Sequence, residues 1–318
     1  MTAATRVREL LVAGALDLPP IGGGSTRDRW SALAELARTN VSVARLAEAH
    51  VDGVQILREA GRTRARHELV GVWASESPND RLVARCEGSR VVLSGSKAFC
   101  SGAGTVDLAL VTATRDDSAV GLFAVPASLI TPDRVDLTTW KAFALRDVNT
   151  ATVSFDDIDL DANAEVGPPG WYLDRVGFWH GAIGPAACWA GAALGLVDEA
   201  MRAGRGDAHA RVHVGALGAA GWLLRSILDR AGDDVDDDPH GASAAQRRAL
   251  VVRHLVDDAC REIQDRFGRV LGPRAFVGNL AVAERFDALT IYRRQCHAER
   301  DLEALGASLE SDHAPRTE

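Results

Sequence analysis

The spacing of apolar positions changes twice along the chain. From Trp30 onward, Trp30, Leu33, Leu36, Ala37, Val41, Val43, Leu46 and Ala47 recur at helical spacing, followed by Val51, Val54, Ile56 and Leu57. Steps of three and four residues put such positions on one helix face. The Pro- and Gly-rich run from Asp17 to Thr26 reads as the loop before them. Between about Leu69 and Val166 the period shortens. Arg90–Ser94, Val106–Ala113, Val120–Val125 and Thr150–Phe155 are brief runs rich in β-branched residues. Glu87-Gly88, Asp116-Asp117 and Asp156-Asp157 supply turns between them. Such closely spaced short strands predict a compact antiparallel barrel or sandwich.

Helical periodicity returns from Gly170. Gly181, Gly184, Ala187, Gly191 and Gly195 form a small-residue stripe against which another element packs closely. Ala231–Gly241 is dense in aspartate and reads as a solvated acidic loop. Two long helices are expected over roughly Ser243–Val270 and Leu280–Leu305, with Ser243 as N-cap of the first. The chain therefore divides into an N-terminal helical region at 1–68, a middle β-domain at 69–168 and a C-terminal helical bundle at 169–318. The fold class is α+β.

Composition narrows the partners. With 318 residues, 47% of them hydrophobic, the chain buries a sizeable core. A net charge of -8 argues against nucleic acid as an electrostatic partner. Arg6, Arg8 and Glu9 interrupt the N-terminal apolar stretch, and no apolar run long enough to span a bilayer stands out. A soluble, cytoplasmic protein without membrane partners is the expectation. The five cysteines are widely spaced and form no C-x-x-C pair, so reduced thiols are expected rather than a disulfide framework or zinc site.

Two strand ends carry the candidate chemistry. Trp73-Ala74-Ser75-Glu76-Ser77 and Lys97-Ala98-Phe99-Cys100-Ser101 each place an aromatic two residues before a serine. The second lies in Gly95-Ser-Lys-Ala-Phe-Cys-Ser101. It is followed by Thr150-Ala-Thr-Val-Ser-Phe-Asp-Asp-Ile158 and Val166-Gly-Pro-Pro-Gly-Trp-Tyr172. In this order the segments resemble the acyl-CoA dehydrogenase family, with its aromatic-x-(T/S)-E-P, G-x-K-x-W-I-(T/S) and (T/S)-x-x-V-x-F-D-x-V patterns. The resemblance runs from about Trp30 to the end and is densest between Gly71 and Ala200.

It implies an acyl-CoA dehydrogenase-like fold: N-terminal helices, a middle antiparallel β-barrel domain and a C-terminal helical bundle. It also implies FAD as cofactor and α,β-dehydrogenation of an acyl-CoA thioester, as in fatty acid metabolism. An electron-transfer partner and a homo- or hetero-oligomer would go with that activity. Ser75 and Ser101 would hydrogen-bond the flavin ring, and Trp73 and Phe99 would supply aromatic faces. Phe99 stands where the family often has the tryptophan that packs on the ring.

The sequence departs from the family where the catalytic base is expected. The Tyr-Glu-Gly turn is absent, and alignment of Ile291–Asp301 leaves His297, Glu299 and Glu310 as alternatives. The other family position for the base falls near Gly181, beside His180. Arg205 and Arg211 are candidates for a flavin phosphate. Two further readings follow. One is a non-catalytic or half-site subunit of a hetero-oligomer. The other is a flavin monooxygenase on the same fold, which needs no carboxylate base.

Overall fold

Three helices open the chain: α1 (Ala3–Val12), α2 (Thr26–Thr39) and α3 (Val41–Glu59). The structure is a computed structural model that describes residues 2–203 and 206–313, with side chains described through residue 310. The elements form two compact units. One comprises Met1–Leu18 and Arg45–Phe178, the other Pro19–Ala44 and Trp179–Glu318. The N-terminal helices are thus shared between the units: α1 and most of α3 belong to the first, α2 to the second.

The first unit is built on eight strands: β1 (Val70–Trp73), β2 (Leu82–Glu87), β3 (Arg90–Cys100), β4 (Leu108–Arg115), β5 (Val120–Pro126), β6 (Val135–Asp136), β7 (Ala151–Ser154) and β8 (Ile158–Asp161). Most pairings are antiparallel, but β1 and β2 each run parallel to β4. The long strand β3 changes partners along its length. Its first half pairs with β2 and β8, and its second half with β7. Gly95 makes the switch possible. At φ +114 and with Arg81 O only 2.1 Å from where a Cβ would stand, no other residue fits.

α1 is tied to the sheet through Arg8, whose guanidinium meets Asp107 at 2.9 Å. Asp107 also accepts the Leu69 N–H at 2.8 Å, which sets the start of β1. Ile56 and Leu57 of α3 pack on Val70, Leu110 and Leu122 to form the core between helix and sheet. Two short helices, α4 (Trp171–Asp174) and α5 (Val176–Gly181), follow the sheet.

The second unit is helical: α6 (Ile183–Ala203), α7 (Ala208–Asp237), α8 (Ala242–Leu271), α9 (Pro273–Gly278), α10 (Leu280–Tyr292) and α11 (Glu299–His313). α6 is its core and packs against α2, α7, α8 and α10. The stretch Val176–Ala203 has the length and apolarity of a membrane span, contrary to the sequence expectation, but most of it is buried in the fold. The small-residue stripe explains the close packing. A Cβ on Gly191 would lie 2.0 Å from Ala34 O, so α2 rests directly on the α6 backbone.

Three sequence expectations are corrected here. The acidic stretch from Ala231 is helix as far as Asp237, not loop. Its aspartates have partners: Arg230 pairs with Asp234 at 2.8 Å, and Asp236 accepts from Gly24 N, Thr26 N and Thr26 Oγ1 at 2.6–3.0 Å. Asp236 thereby satisfies free N–H groups at the start of α2. The N-cap of α8 is Gly241, so Ser243 lies inside the helix. The expected helix over Leu280–Leu305 is broken between α10 and α11. There Arg293 turns inward to Asp257 at 2.8 Å and Gln264 at 3.1 Å.

Candidate functional site

The two aromatic–serine strand ends converge in the first unit. Trp73 closes β1 and is 2% exposed. Its Nε1–H donates to Ser101 O at 2.9 Å, and its ring meets Phe155 edge-on at 6.4 Å. The indole therefore supports the backbone of Ser101 and offers no open face to a ligand. Ser75, half-buried, donates its hydroxyl to Ala98 O at 2.7 Å, which leaves the oxygen lone pairs as acceptors.

Phe99 is turned outward. The pairing of β3 with β7 shifts register between Lys97 and Cys100, and Phe99 sits in that bulge at φ +59. A bulky side chain in left-handed backbone is a true outlier. Phe99 is 56% exposed. Bulges re-aim side chains in this way, and strained backbone gathers at functional sites.

Ser101 stands at the end of the same strand, 7% exposed, with its hydroxyl 3.2 Å from that of the equally buried Thr150. The neighbouring backbone is locked: Gly102 N donates to Val148 O at 3.0 Å and Ala103 N to Asn149 O at 3.1 Å. Asn149 adopts φ +54, which brings Thr150 alongside Ser101. Sequence reasoning assigned no role to Thr150, although its position as the first residue of the Thr150–Ile158 motif was a usable signal. Cys100 is buried, and burial pushes its thiol pKa well up, which keeps it protonated and inert. The wall is thus one outward aromatic, one supported hydroxyl pair and one hydroxyl acceptor.

The three base candidates belong to the second unit and are spread out. His297 is 61% exposed in its side chain and faces Asp301, Nδ1 to Oδ1, at 3.5 Å. Glu299 and Glu310 are exposed on α11, about 16 Å apart along the helix axis at 1.5 Å per residue. The structure does not bring the three together, and none sits in a desolvated pocket. His180 is buried, with Nε2 at 3.1 Å from Pro239 O. Arg211 is exposed and bonds the carbonyl of Gly206, while Arg205 lies outside the described residues.

An aromatic face beside hydroxyls on a strand end fits a flat heteroaromatic ring with hydrogen-bonding edges. No family model matches the sequence, and a search of curated proteins finds no match. Solved structures do match. Butyryl-CoA dehydrogenase from Megasphaera elsdenii aligns at 18% identity over 95% of this chain and 89% of its own, with a TM-score of 0.77. TdsC from Paenibacillus sp. A11-2, in complex with FMN and indole, aligns at 14% over 96% and 95%, TM-score 0.79. KijD3, in complex with FMN and a dTDP-linked amino-keto sugar, aligns at 16% over 99% and 93%, TM-score 0.80. The chain has the acyl-CoA dehydrogenase-like fold.

Proposed function

We propose that this chain is a flavin-dependent oxidoreductase acting on a small organic molecule. The observation that carries the reading is the wall itself: an outward Phe99 held at φ +59 beside the buried Ser101–Thr150 hydroxyl pair. It stands on a fold shared with a butyryl-CoA dehydrogenase and with two FMN complexes. When bound, the flavin supplies a two-electron acceptor. The chain's own residues bind and orient it. Phe99 covers the ring and excludes water. Ser101 presents a hydroxyl whose direction Thr150 fixes. Ser75, its proton committed to Ala98 O, accepts from a ring N–H. FAD is the cofactor the family resemblance implies, with FMN the alternative favoured by the TdsC and KijD3 complexes.

The family motifs favour α,β-dehydrogenation of an acyl-CoA thioester. That reaction needs a base for the Cα proton, drawn here from His297, Glu299 or Glu310. A second reading, monooxygenation, is favoured by the exposure of all three, because it needs no carboxylate base. Exposed Trp222, Val277 and Leu280 support a homo- or hetero-oligomer, and a homologue completing the site would make this chain a half-site subunit. An electron-transfer partner and a cytoplasmic location belong to the dehydrogenase reading.

Anaerobic titration of the flavin-loaded protein with acyl-CoA thioesters of graded length separates the two reactions. Bleaching of the flavin band supports dehydrogenation. Its absence at every length, with oxygen-dependent substrate oxidation after reduction, supports the monooxygenase. Chromatography of the released cofactor decides between FAD and FMN.

A further inference from the structure

Lys97 lies two residues before Phe99 on β3 and is only 6% exposed. Its ammonium carries three donors. Among the described residues, Thr112 Oγ1 at 2.8 Å is the one hydrogen-bond acceptor it meets. A charge buried against a single neutral hydroxyl is poorly compensated. Burial accordingly lowers the lysine's pKa, outweighing the opposing pull of the Glu76 carboxylate.

A cavity of about 320 Å³ opens beside this amine. It lies in the first unit and includes none of Ser75, Phe99, Ser101 or Thr150 in its lining. Its two carboxylates do not compensate Lys97 equally. Asp80 is occupied, accepting the Ser77 hydroxyl at 3.0 Å and the Ser96 hydroxyl at 2.9 Å. Glu76 and the lining's second cation, Arg81, are both exposed, so solvent screens their charges. The buried end is therefore cationic and donor-rich, and Leu82, Ala113 and Val120 give it an apolar side.

We propose that this cavity binds a small monocarboxylate, with the carboxylate on Lys97 Nζ and a short hydrocarbon tail against Leu82 and Val120. One negative charge matches one buried cation. A phosphate dianion would exceed it and face Glu76 and Asp80 as well. The volume stands at the small end of the range for ligand pockets, which suits an acid of a few carbons.

The test is calorimetric titration of flavin-free protein with sodium propionate, alongside sodium phosphate and sodium chloride. Lys97→Met keeps the length of the side chain and removes the charge. Val120→Phe narrows the cavity, leaves Lys97 in place and decides the matter if Lys97→Met does not fold. The expected result is saturable propionate binding to the wild type, weakened about tenfold or more in either folded variant through loss of a charge-assisted bond or of space. Tighter binding of phosphate than of propionate overturns the assignment. So does unchanged affinity in the variants, or no saturable propionate binding at all. The reading of the flavin wall is untouched by any of these outcomes, because the assay contains no flavin.

Discussion

Replacing Phe99 separates the cost of its backbone from the use of its ring. Left-handed backbone costs a non-glycine residue about 1–2 kcal/mol. Phe99 adopts it at φ +59. Glycine removes that cost but adds about 0.5–1 kcal/mol of unfolded-chain entropy. Phe99 is more than half exposed, so removal of its ring forfeits roughly 1 kcal/mol or less of the 1.5–3 that full burial would give. Phe99→Gly is therefore expected to leave flavin-free stability within about 1 kcal/mol of wild type. Phe99→Ala loses the same ring, keeps the backbone cost, and should be the less stable of the two by about 1 kcal/mol. Urea denaturation followed by circular dichroism measures both. Flavin affinity should fall in both variants by about 5- to 150-fold, the equivalent of roughly 1–3 kcal/mol for stacking a base on an aromatic side chain. Phe99→Ala equal to or more stable than Phe99→Gly would refute the strain argument. Unchanged flavin affinity would refute the role of the ring.

Thr150→Val leaves the buried Ser101 hydroxyl without its partner and should cost about 1–3 kcal/mol in denaturant unfolding, with Thr150→Ser close to wild type. Gly191→Ala places a methyl 2.0 Å from Ala34 O, so α2 must move; a loss of about 1–3 kcal/mol or more in the same assay is expected. The Arg38 hydrogen bond, outweighing burial, holds the Asp198 carboxyl below its ordinary 3.8. A depressed folded pKa means that this pair stabilises fully above about pH 4 and loses its contribution as pH falls through the lower folded value. Asp198→Asn should flatten that part of the acid-denaturation profile, and an unchanged slope would count against the pair.

The parts of the fold written locally were legible. β3, β4, β5 and β7 coincide with runs of β-branched residues, and α8 with a sustained helical period. β2, β6 and β8 were not foreseen as strands, and β1 only as the strand end at Trp73. β6 and β8 are very short, and β1 owes its place to parallel pairing with β4, a contact distant in sequence. The acidic run misled because aspartates at a helix end are unfavourable alone, and the Gly24 and Thr26 partners of Asp236 are more than two hundred residues away.

The site divides in the same way. Residue type and spacing picked out Ser75, Phe99 and Ser101, but not which aromatic faces outward. That choice rests on the β3 bulge, which turns Phe99 out, and on the Ser101 carbonyl, which holds Trp73 in. The spread of the three base candidates has a simpler cause. His297, Glu299 and Glu310 follow an interruption of the helix at Arg293–Cys296 that helical periodicity does not reveal.

Retention of flavin tests the central claim most directly. The purified chain is loaded with FAD or FMN, dialysed, and the visible absorbance compared with that of Ser101→Ala and Phe99→Ala. Stoichiometric flavin on the wild type and markedly less on both variants is the predicted result. A wild-type protein that keeps no flavin and shows no saturable binding, or variants that keep as much as wild type, would contradict a flavin site built on Phe99 and Ser101.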